Sequence, residues 1–365
     1  MDQLVPISGV SSRAYTVPTD APEADGTIAW DSTTMVTVEI EAGGERGFGY
    51  TYGAGVAAEL VRGTFAPLLE GRPAMDIPVA NAALWGAVRN MGRSGIAATA
   101  ISAVDIALWD LKARLLGLPL ATLLGAARDR VRVYGSGGFT SYDDGRLQEQ
   151  LAGWVGTEGC LAVKMKVGSE PARDPERVRA ARRAIGNAML FVDANGGYGR
   201  KQAIKMAELF AAEDVFWFEE PVSSDDRHGL RLVREAVPAP MEVAAGEYGF
   251  TLDDSRELLE ARSVDVLQAD ATRCGGVSGF LKAAALAEAH HTDLSGHCGP
   301  SAHRHVACAA GRLRNLEWFH DHVRIEQMLF DGAPVARDGV IRPDLSRPGI
   351  GIELKRADAE RFAAD

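Results

Sequence analysis

Ionisable side chains recur along the last two thirds of the chain, each directly after a short apolar run. Successive members of this series lie 20 to 28 residues apart, counted from Lys166 onward. The members are Lys164 and Lys166, Asp193, Glu219, Glu247, Asp270, His297 and Glu317. Lysine and histidine can carry protons, and carboxylates bind hard divalent cations. The spacing is that of one strand and one helix, so each group is expected at the end of a different strand.

Three carboxylates, Asp193, Glu219 and Glu247, follow consecutive apolar runs. Oxygen ligands suit Mg²⁺, which leaves some coordination positions to water or substrate. No histidine or cysteine stands among the three, which argues against zinc at this place. An open face of the cation could bind a substrate carboxylate and polarise it. The sequence therefore predicts one Mg²⁺ per active site.

A single carboxylate at a strand end is more often a helix cap or a surface charge than a catalytic group. Lys164 and Lys166 alternate along one strand and point the same way, and alone they could lie on a solvated edge. However, seven consecutive strands carry ionisable groups at the same end, which chance placement of surface charges does not explain. Like charges gathered in one place repel unless a cation or a reaction organises them. We therefore interpret the set as one pocket.

The elements that position these groups follow from the apolar pattern beyond about residue 130. Helical stretches such as PERVRAARRAIG separate eight apolar runs: VRVYGS, LAVKMKV, MLFVDAN, VFWFEE, MEVAAGE, VDVLQAD, TDLSGH and NLEWF. The alternation predicts parallel βαβ units, and eight of them in about 190 residues favour a closed barrel with its active site at the strand carboxyl ends. The alternative is an open doubly wound sheet, but no glycine-rich phosphate loop follows the first run.

The first third of the chain has a different pattern. Strand-like segments such as MVTVEIEA, with alternating apolar residues, precede the helical stretch GIAATAISAVDIALWDLKARLLG. We predict an α/β protein with a modified TIM barrel, (β/α)7β, over residues 128–344. An α+β capping domain is predicted over residues 1–127, joined by a C-terminal tail over residues 345–365.

The amino-acid composition limits which binding partners and which cellular compartment are expected for this protein. Hydrophobic residues make up 46% and charged residues 24%, as in a soluble globular protein. A net charge of −11 argues against a nucleic-acid partner. No signal-peptide pattern or membrane-length apolar stretch is evident, so no membrane partner is expected. Four scattered cysteines indicate neither a zinc site nor a disulfide framework, so a reduced cytoplasmic compartment and core positions are expected for Cys160, Cys274, Cys298 and Cys308.

The order and spacing of several segments resemble the mandelate racemase subgroup of the enolase superfamily. These segments are KMKVG, DANGGY, WFEEP, AAGE, QAD followed by GGVSG, SGHCGP, and AISAVDIALWDLKARLLGLPLATLLG in the cap. In that family, muconate lactonizing and dipeptide-epimerase relatives carry a lysine in place of Asp270. The pair of Asp270 with His297 resembles the mandelate racemase and acid-sugar dehydratase group instead.

The resemblance implies Mg²⁺-dependent abstraction of the proton next to a substrate carboxylate. Lys166 would be the base on one face, with its pKa lowered by Lys164, which would also contact the substrate. His297, oriented by Asp270, would act on the opposite face. Glu317 would hydrogen-bond the substrate carboxylate as a protonated acid.

Further residues are expected to support the metal ligands or to contact the substrate. They are Asn195, Glu220, His320, Ser136, Tyr52 and Trp30. His322 also lies near the predicted mouth, whereas His303 and His305 are expected to pack in a helix. The resemblance implies that cap loops 15–30 and 50–56 read the distal end of the substrate.

The reaction favoured by the sequence is dehydration of a sugar acid to a 2-keto-3-deoxy acid, which would make the chain a lyase (hydro-lyase). The polar loop TVPTDAPEADGTIAW suits a polyhydroxylated substrate better than the aryl ring of mandelate, although Trp30 and Tyr52 could form an apolar wall. The alternatives are a racemase or epimerase of a 2-hydroxy acid and a non-catalytic sugar-acid-binding relative. The partner expected is a small-molecule carboxylate substrate, and the resemblance implies a homo-oligomer, from dimer to octamer.

Overall fold

The computed structural model describes residues 5–364, and its amino-terminal part is built on an antiparallel sheet. The strands are β1 (Ile7–Ala24), β2 (Ala29–Ala42) and β3 (Glu45–Tyr52). Gly43 and Gly44 connect β2 to β3 with φ angles of 60° and 83°, which suit a two-residue hairpin turn and favour glycine. Val36, Val38, Ile40 and Ala42 of MVTVEIEA pack on one face of β2 in the core of the cap, whereas Met35 and Thr37 on the other face are also buried.

Helices cover one face of this sheet. They are α1 (Val56–Leu60), α2 (Ala66–Leu69), α3 (Ile77–Ala87), α4 (Ile96–Leu115) and α5 (Leu120–Leu124), with a π-helical turn at Val61–Phe65. The alanine-rich helix α4 is buried along most of its length. Gly47 and Gly49 let β3 approach α4, since a Cβ atom at either position would lie about 2 Å from a backbone oxygen of α4.

A closed parallel barrel forms the second part. Its strands are β4 (Val131–Gly137), β5 (Ala162–Lys166), β6 (Met189–Asp193), β7 (Val215–Glu219), β8 (Glu242–Ala245), β9 (Val266–Ala269), β10 (Asp293–Gly296) and β11 (Leu313–Phe319). The order β4 to β11 follows the chain, and β11 pairs with β4 to close the barrel. The predicted barrel is therefore confirmed, and the open doubly wound sheet is wrong.

A helix follows each barrel strand. These are α6 (Asp144–Gly156), α7 (Asp174–Ile185), α8 (Arg200–Ala211), α9 (Arg227–Ala236), α10 (Leu252–Glu260), α11 (Gly276–Ala289), α12 (Pro300–Ala309) and α13 (His320–Leu329). The last unit is modified, because β11 runs directly into α13 without a loop. A plug of side chains that includes Tyr134, Phe191 and Trp217 fills the barrel interior, so the barrel is a packed core and not a pore.

The remaining chain returns toward the amino-terminal sheet. It contains β12 (Phe330–Asp331), β13 (Val340–Ile341), β14 (Glu353–Leu354), α14 (Arg356–Ala359), a 3₁₀ turn at Glu360–Phe362 and β15 (Ala363–Ala364). Strand β13 pairs with β4, whereas β15 pairs with β1. The division at residues 127/128 and 344/345 stays a prediction. No helix formed by residues 5–364 has both the length and the apolar character needed to cross a membrane.

One buried carboxylate ties three of these segments together. Asp110 of α4 accepts hydrogen bonds from the backbone N–H of Phe48 at 2.8 Å and of Ile350 at 2.6 Å. Its carboxylate also accepts from Nε of Arg114 at 2.7 Å. Burial raises the pKa of Asp110 to about 6, although Arg114 and the two backbone donors lower it. Sheet, helix and tail thus share one acceptor.

We expect Asp110→Ala to lower the free energy of unfolding by about 2–4 kcal/mol, because it leaves two buried N–H groups without their acceptor and removes one of three partners of the partly buried Arg114. Urea denaturation followed by circular dichroism measures the change. Asp129→Ala, which removes an exposed partner of Arg342, is the control and should leave the midpoint unchanged. Equal midpoints for both variants would contradict a joining role for Asp110.

Candidate active site

The predicted series of ionisable groups lies at one end of the barrel. Its members stand at or within two residues of the carboxyl ends of seven successive strands, β5 to β11, and each is at most 5% exposed. The members are Lys164, Lys166, Asp193, Glu219, Glu247, Asp270, His297 and Glu317. Parallel strands in register explain this convergence, since Asp193 lies opposite both Lys166 and Glu219 in the ladder. The structure therefore brings the whole series to one mouth.

Three of the carboxylates could share one cation. Ligand oxygens of Asp193, Glu219 and Glu247 lie within 4.8 Å of one another, and all three residues are buried. Burial, with the negative charge of Asp193, raises the pKa of Glu219 to about 8. Three buried carboxylates at this separation are electrostatically unfavourable unless a positive charge lies among them. An all-oxygen donor set fits Mg²⁺.

The two lysines contact these carboxylates. Nζ of Lys166 lies 2.5 Å from Oδ2 of Asp193 and 3.0 Å from Oδ1 of Asn195. Lys164 forms a close ion pair with Glu219. Burial and Lys164 lower the pKa of Lys166, but the combined attraction of Asp193, Glu247 and Glu317 outweighs both and holds it above its ordinary value. Lys164 does lower the pKa of Lys166, as predicted, but the nearby carboxylates outweigh this effect, so the pKa lies above its ordinary value and not below it.

Glu317 is ionised in this arrangement. Its Oε1 accepts from Oγ of Ser136 at 2.6 Å and lies 2.8 Å from Nζ of Lys164. Burial alone would raise the pKa of Glu317, but Lys164 and His297 lower it to about 2. The predicted protonated acid is therefore a carboxylate here. Ser136, predicted to lie near the substrate, is fully buried beneath it.

His297 is held in one orientation by Asp270. Its Nδ1–H donates to Oδ2 of Asp270 at 2.8 Å. Asp270 is itself fixed by the backbone N–H of Thr272 at 2.6 Å and its hydroxyl at 2.8 Å. Burial lowers the pKa of His297, but Cys298, Glu247 and other neighbours raise it well above its ordinary value. Nε2 of His297 is left facing the barrel mouth, where it can give or take a proton.

A cavity of about 360 Å³ lies over this mouth. Its barrel side includes Lys166, Asn195, Glu247, His297 and Glu317. Its cap side includes Asp25, Ile28, Trp30, Ser32, Thr33, Thr34 and Tyr52. Three of the predicted contacts, Asn195, Trp30 and Tyr52, thus line the same space as Lys166 and His297. Most cap residues of the wall fall within or next to the loops expected to read the substrate.

Two predicted residues lie elsewhere. Glu220 faces a neighbouring cavity of about 520 Å³. His320 pairs through Nε2 with Asp20 at 3.1 Å and does not line the cavity over the mouth. His322 lines that cavity instead, and its ring stacks on Tyr52 with centroids 3.5 Å apart. Helix α13 begins at His320. Two residues later the helix has turned by more than half a revolution, so His322 points to a different side from His320.

Arg273 and Thr33 also line the cavity, although sequence reasoning did not identify them. A guanidinium nitrogen of Arg273 donates to the backbone oxygen of Glu247 at 3.1 Å. The position of Arg273, three residues after Asp270 at a strand end, was an available signal. Thr33 donates to Asp321 of α13 and lies in the middle of β2, where no sequence pattern marks it.

All four cysteines are buried, as expected, but one of them, Cys298, also has a place at the site. It is buried, but it also lines the cavity. Its Sγ lies 3.2 Å from Nε2 of His297 and donates to Oε2 of Glu317 at 3.3 Å. Burial raises the pKa of this thiol, and Glu317 raises it further. Its place next to His297 at a strand end was the signal that sequence reasoning overlooked.

The sequence matches two family descriptions that together span most of the chain. Residues 13–125 match the mandelate racemase / muconate lactonizing enzyme N-terminal domain, and residues 146–359 match the enolase C-terminal domain-like family. The chain belongs to the mandelate racemase / muconate lactonizing enzyme family of the enolase superfamily. This agrees with the resemblance carried by the strand-end motifs.

Individual relatives of this family cover nearly the whole chain. L-talarate/galactarate dehydratase of Salmonella typhimurium is 36% identical and covers 88% of this chain and 80% of its own length. Its structure with Mg and L-lyxarohydroxamate has a TM-score of 0.90 at 30% identity and covers 100% of this chain and 94% of its own. D-galactarolactone cycloisomerase of Agrobacterium fabrum is 32% identical, covering 94% and 95%. A mandelate racemase/muconate lactonizing enzyme-like protein from Rubrobacter xylanophilus is 53% identical with a TM-score of 0.96, covering 98% and 100%.

We expect Mg²⁺ to raise the melting temperature of the protein, because a ligand that binds only the folded state stabilises it. Glu219→Gln should lose most of this shift in differential scanning calorimetry, since it removes one of three anionic ligands. Glu213→Gln, after α8 and away from the barrel mouth, removes a carboxylate that pairs with Arg179; it is the matched control and should keep the shift. A full shift in Glu219→Gln would place the cation elsewhere.

Proposed function

We propose that this chain removes the α-proton of a sugar acid in a Mg²⁺-dependent reaction and then expels the β-hydroxyl group, giving a 2-keto-3-deoxy acid. The observation that carries the proposal is one cavity with two proton carriers of different kinds, Lys166 and His297, beside the carboxylate of Glu247. The relatives named as sugar-acid dehydratases support the same substrate class.

Asp193, Glu219 and Glu247 would hold the cation. When bound there, Mg²⁺ supplies the positive charge that stabilises negative charge developing on the substrate carboxylate. The weak acidity of an α-proton makes such stabilisation necessary. Lys164 would contribute a second positive charge to the carboxylate end of the substrate, because its ammonium lies between Glu219 and Glu317 at the base of the mouth.

Lys166 would receive the α-proton at Nζ, which requires a neutral amine. The largest attraction that keeps Lys166 charged comes from Asp193, 2.5 Å away. A carboxylate whose charge is shared with a divalent cation attracts the ammonium group less. Burial and the nearby Lys164 then favour the neutral amine. Asn195, which accepts a hydrogen bond from Nζ, would keep the amine directed toward the cavity.

His297 would act as the acid that completes the elimination. Asp270 holds the imidazole through Nδ1 and stabilises its protonated form. The proton on Nε2 passes to the β-hydroxyl oxygen, the carbon–oxygen bond breaks, and its electron pair leaves with water. The resulting enol becomes the 2-keto product by losing its hydroxyl proton to solvent and gaining a proton at carbon.

The distal wall of the cavity favours a polyhydroxylated substrate. Ser32, Thr33, Thr34 and Arg273 supply hydroxyl groups and a cation along that wall. Trp30, Ile28 and Phe319 give it apolar patches against which carbon atoms can pack. A small number of polar groups in a partly apolar wall orients a ligand by hydrogen bonding. An unsubstituted aryl ring has no oxygen or nitrogen atoms with which these groups could form hydrogen bonds.

Two other reactions share the first step. A ring-opening elimination in a lactone or anhydro sugar acid would keep the leaving oxygen attached to the product, and full-length cycloisomerase relatives favour including such substrates. A racemase or epimerase would return a proton from His297 to the face opposite Lys166, which two proton carriers in one cavity permit. The complete set of proton carriers and carboxylates argues against a non-catalytic sugar-acid-binding protein.

We expect incubation of the protein and Mg²⁺ with a panel of monoacid, diacid and lactone sugars to give a 2-keto product, detected as its semicarbazone. The product should not form after treatment with a chelator, because the carboxylate triad then lacks its cation. Absence of product from every sugar acid, with racemisation of mandelate or epimerisation of another 2-hydroxy acid, would support the alternative reaction.

In deuterated water, we expect Lys166→Ala to abolish exchange of the α-proton from its own face. His297→Asn should retain that exchange while turnover falls by about 10²- to 10⁴-fold, the usual contribution of a general acid. Proton NMR of the recovered substrate measures the exchange. His290→Asn, at an exposed position, is the matched control and should exchange normally. Full turnover by either active-site variant would contradict the two-carrier scheme.

A further inference from the structure

Three different ligand atoms converge on the His297 side of the cavity. Sγ of Cys298 lies 3.2 Å from Nε2 of His297 and 3.3 Å from Oε2 of Glu317. Nε2 and Oε2 are themselves 3.4 Å apart. All three residues are at most 5% exposed. Nitrogen, sulfur and oxygen therefore form a nearly equilateral triangle in a buried wall.

The size of this triangle matches that of a tetrahedral zinc site. Zinc binds nitrogen, sulfur and oxygen at about 2.0–2.3 Å, so ligand atoms at tetrahedral angles stand about 3.4–3.6 Å apart. The three observed separations of 3.2–3.4 Å need to widen by only a few tenths of an ångström. No rearrangement of strands is required, because β10 and β11 already place the three residues side by side.

The surroundings of His297 are those of a metal-binding histidine. Its Nδ1–H donates to Asp270, so in the neutral ring the lone pair is on Nε2, the atom that faces Cys298. A carboxylate behind a histidine in this way fixes the tautomer and increases the basicity of the ligand nitrogen. Asp270 is held in turn by Thr272. The carboxylate of Glu247, 3.0 Å from Nε2, adds negative charge on the open side.

The donor set differs in kind from the carboxylate triad. Asp193, Glu219 and Glu247 offer only oxygen, which suits Mg²⁺. A thiolate with an imidazole favours softer cations such as Zn²⁺ over Mg²⁺. The same barrel mouth thus holds two groups of ligands that select different cations.

We propose that His297, Cys298 and Glu317 form a second cation site, selective for thiophilic divalent cations such as Zn²⁺, whose occupation stops the chemistry of the cavity. Binding forms zinc–sulfur, zinc–nitrogen and zinc–oxygen bonds and releases the thiol proton, with any proton on Nε2, to solvent. The fourth coordination position faces the cavity and takes water or a substrate oxygen. The inhibition rests on the proposed function, because a cation on Nε2 of His297 would stop that atom from carrying a proton. The binding of the cation does not rest on the proposed function.

The test uses Co²⁺ as a visible substitute for Zn²⁺ in the full-length protein saturated with Mg²⁺. We expect one equivalent of Co²⁺ to give thiolate-to-cobalt charge-transfer absorption in the near ultraviolet, which Zn²⁺ displaces. Cys298→Ser should abolish this band, while Cys274→Ser, at another buried cysteine, keeps it. Circular dichroism and the melting temperature verify that both variants are folded.

Competition with a chromophoric chelator gives the affinity for Zn²⁺. We expect Cys298→Ser to weaken Zn²⁺ binding by at least about 100-fold. Loss of a residue that only supports a metal ligand usually weakens binding by about 10- to 100-fold, so a larger effect indicates a direct ligand. A wild-type protein without the band, or an equal band and affinity in folded Cys298→Ser, would overturn the proposal. The band with no sugar-acid turnover would contradict only the proposed function. Turnover without the band would contradict only the second cation site.

Discussion

Burial of charge at the barrel mouth is the constraint on which the rest of this structure depends. Five carboxylates, two ammonium groups and an imidazole occupy positions that are at most 5% exposed. Each would be strongly unfavourable alone, so the group is stable only as a mutually compensating set. Lys164 is central to this balance, since it contacts Glu219 and Glu317 and lies 3.5 Å from Asp193. A cation among the carboxylates would supply the positive charge that the lysines alone do not.

The cap contributes by keeping the mouth partly enclosed. Tyr50 donates to Glu326 of α13 at 2.7 Å, and the Thr51 hydroxyl donates to the backbone oxygen of Thr272 at 2.6 Å. The second bond reaches the segment that also holds Asp270, so the cap sheet and the histidine support are joined through one residue. Exclusion of water lowers the local dielectric constant and strengthens every charge interaction below the cap.

The sequence predicted the barrel and the convergence of the site because both follow from periodicity. A group recurring after every strand must reach one mouth once parallel strands close, whatever the exact distances. The predictions that failed depend on distances of a few ångströms between individual side chains, which periodicity does not determine. The pKa of Lys166 and the ionisation of Glu317 depend on which opposite charge is nearest, and the position of His320 depends on where α13 begins. Cys298 is buried as its residue type suggested, but its place in the cavity wall was missed, although its neighbour His297 already marked a strand end.

The donor types at the mouth are arranged by strand. Oxygen ligands follow β6, β7 and β8, whereas nitrogen and sulfur follow β10, so a hard and a soft set are separated by the strand order of the barrel. His297 is nevertheless common to the proton chemistry and to the soft set. The property that suits it to carry a proton, an Nε2 lone pair that faces the cavity while Asp270 holds Nδ1, is also the property that binds zinc. Selectivity must therefore come from Cys298. With serine at that position the imidazole and Glu317 would remain, and the site would lose the sulfur that distinguishes a thiophilic cation from Mg²⁺.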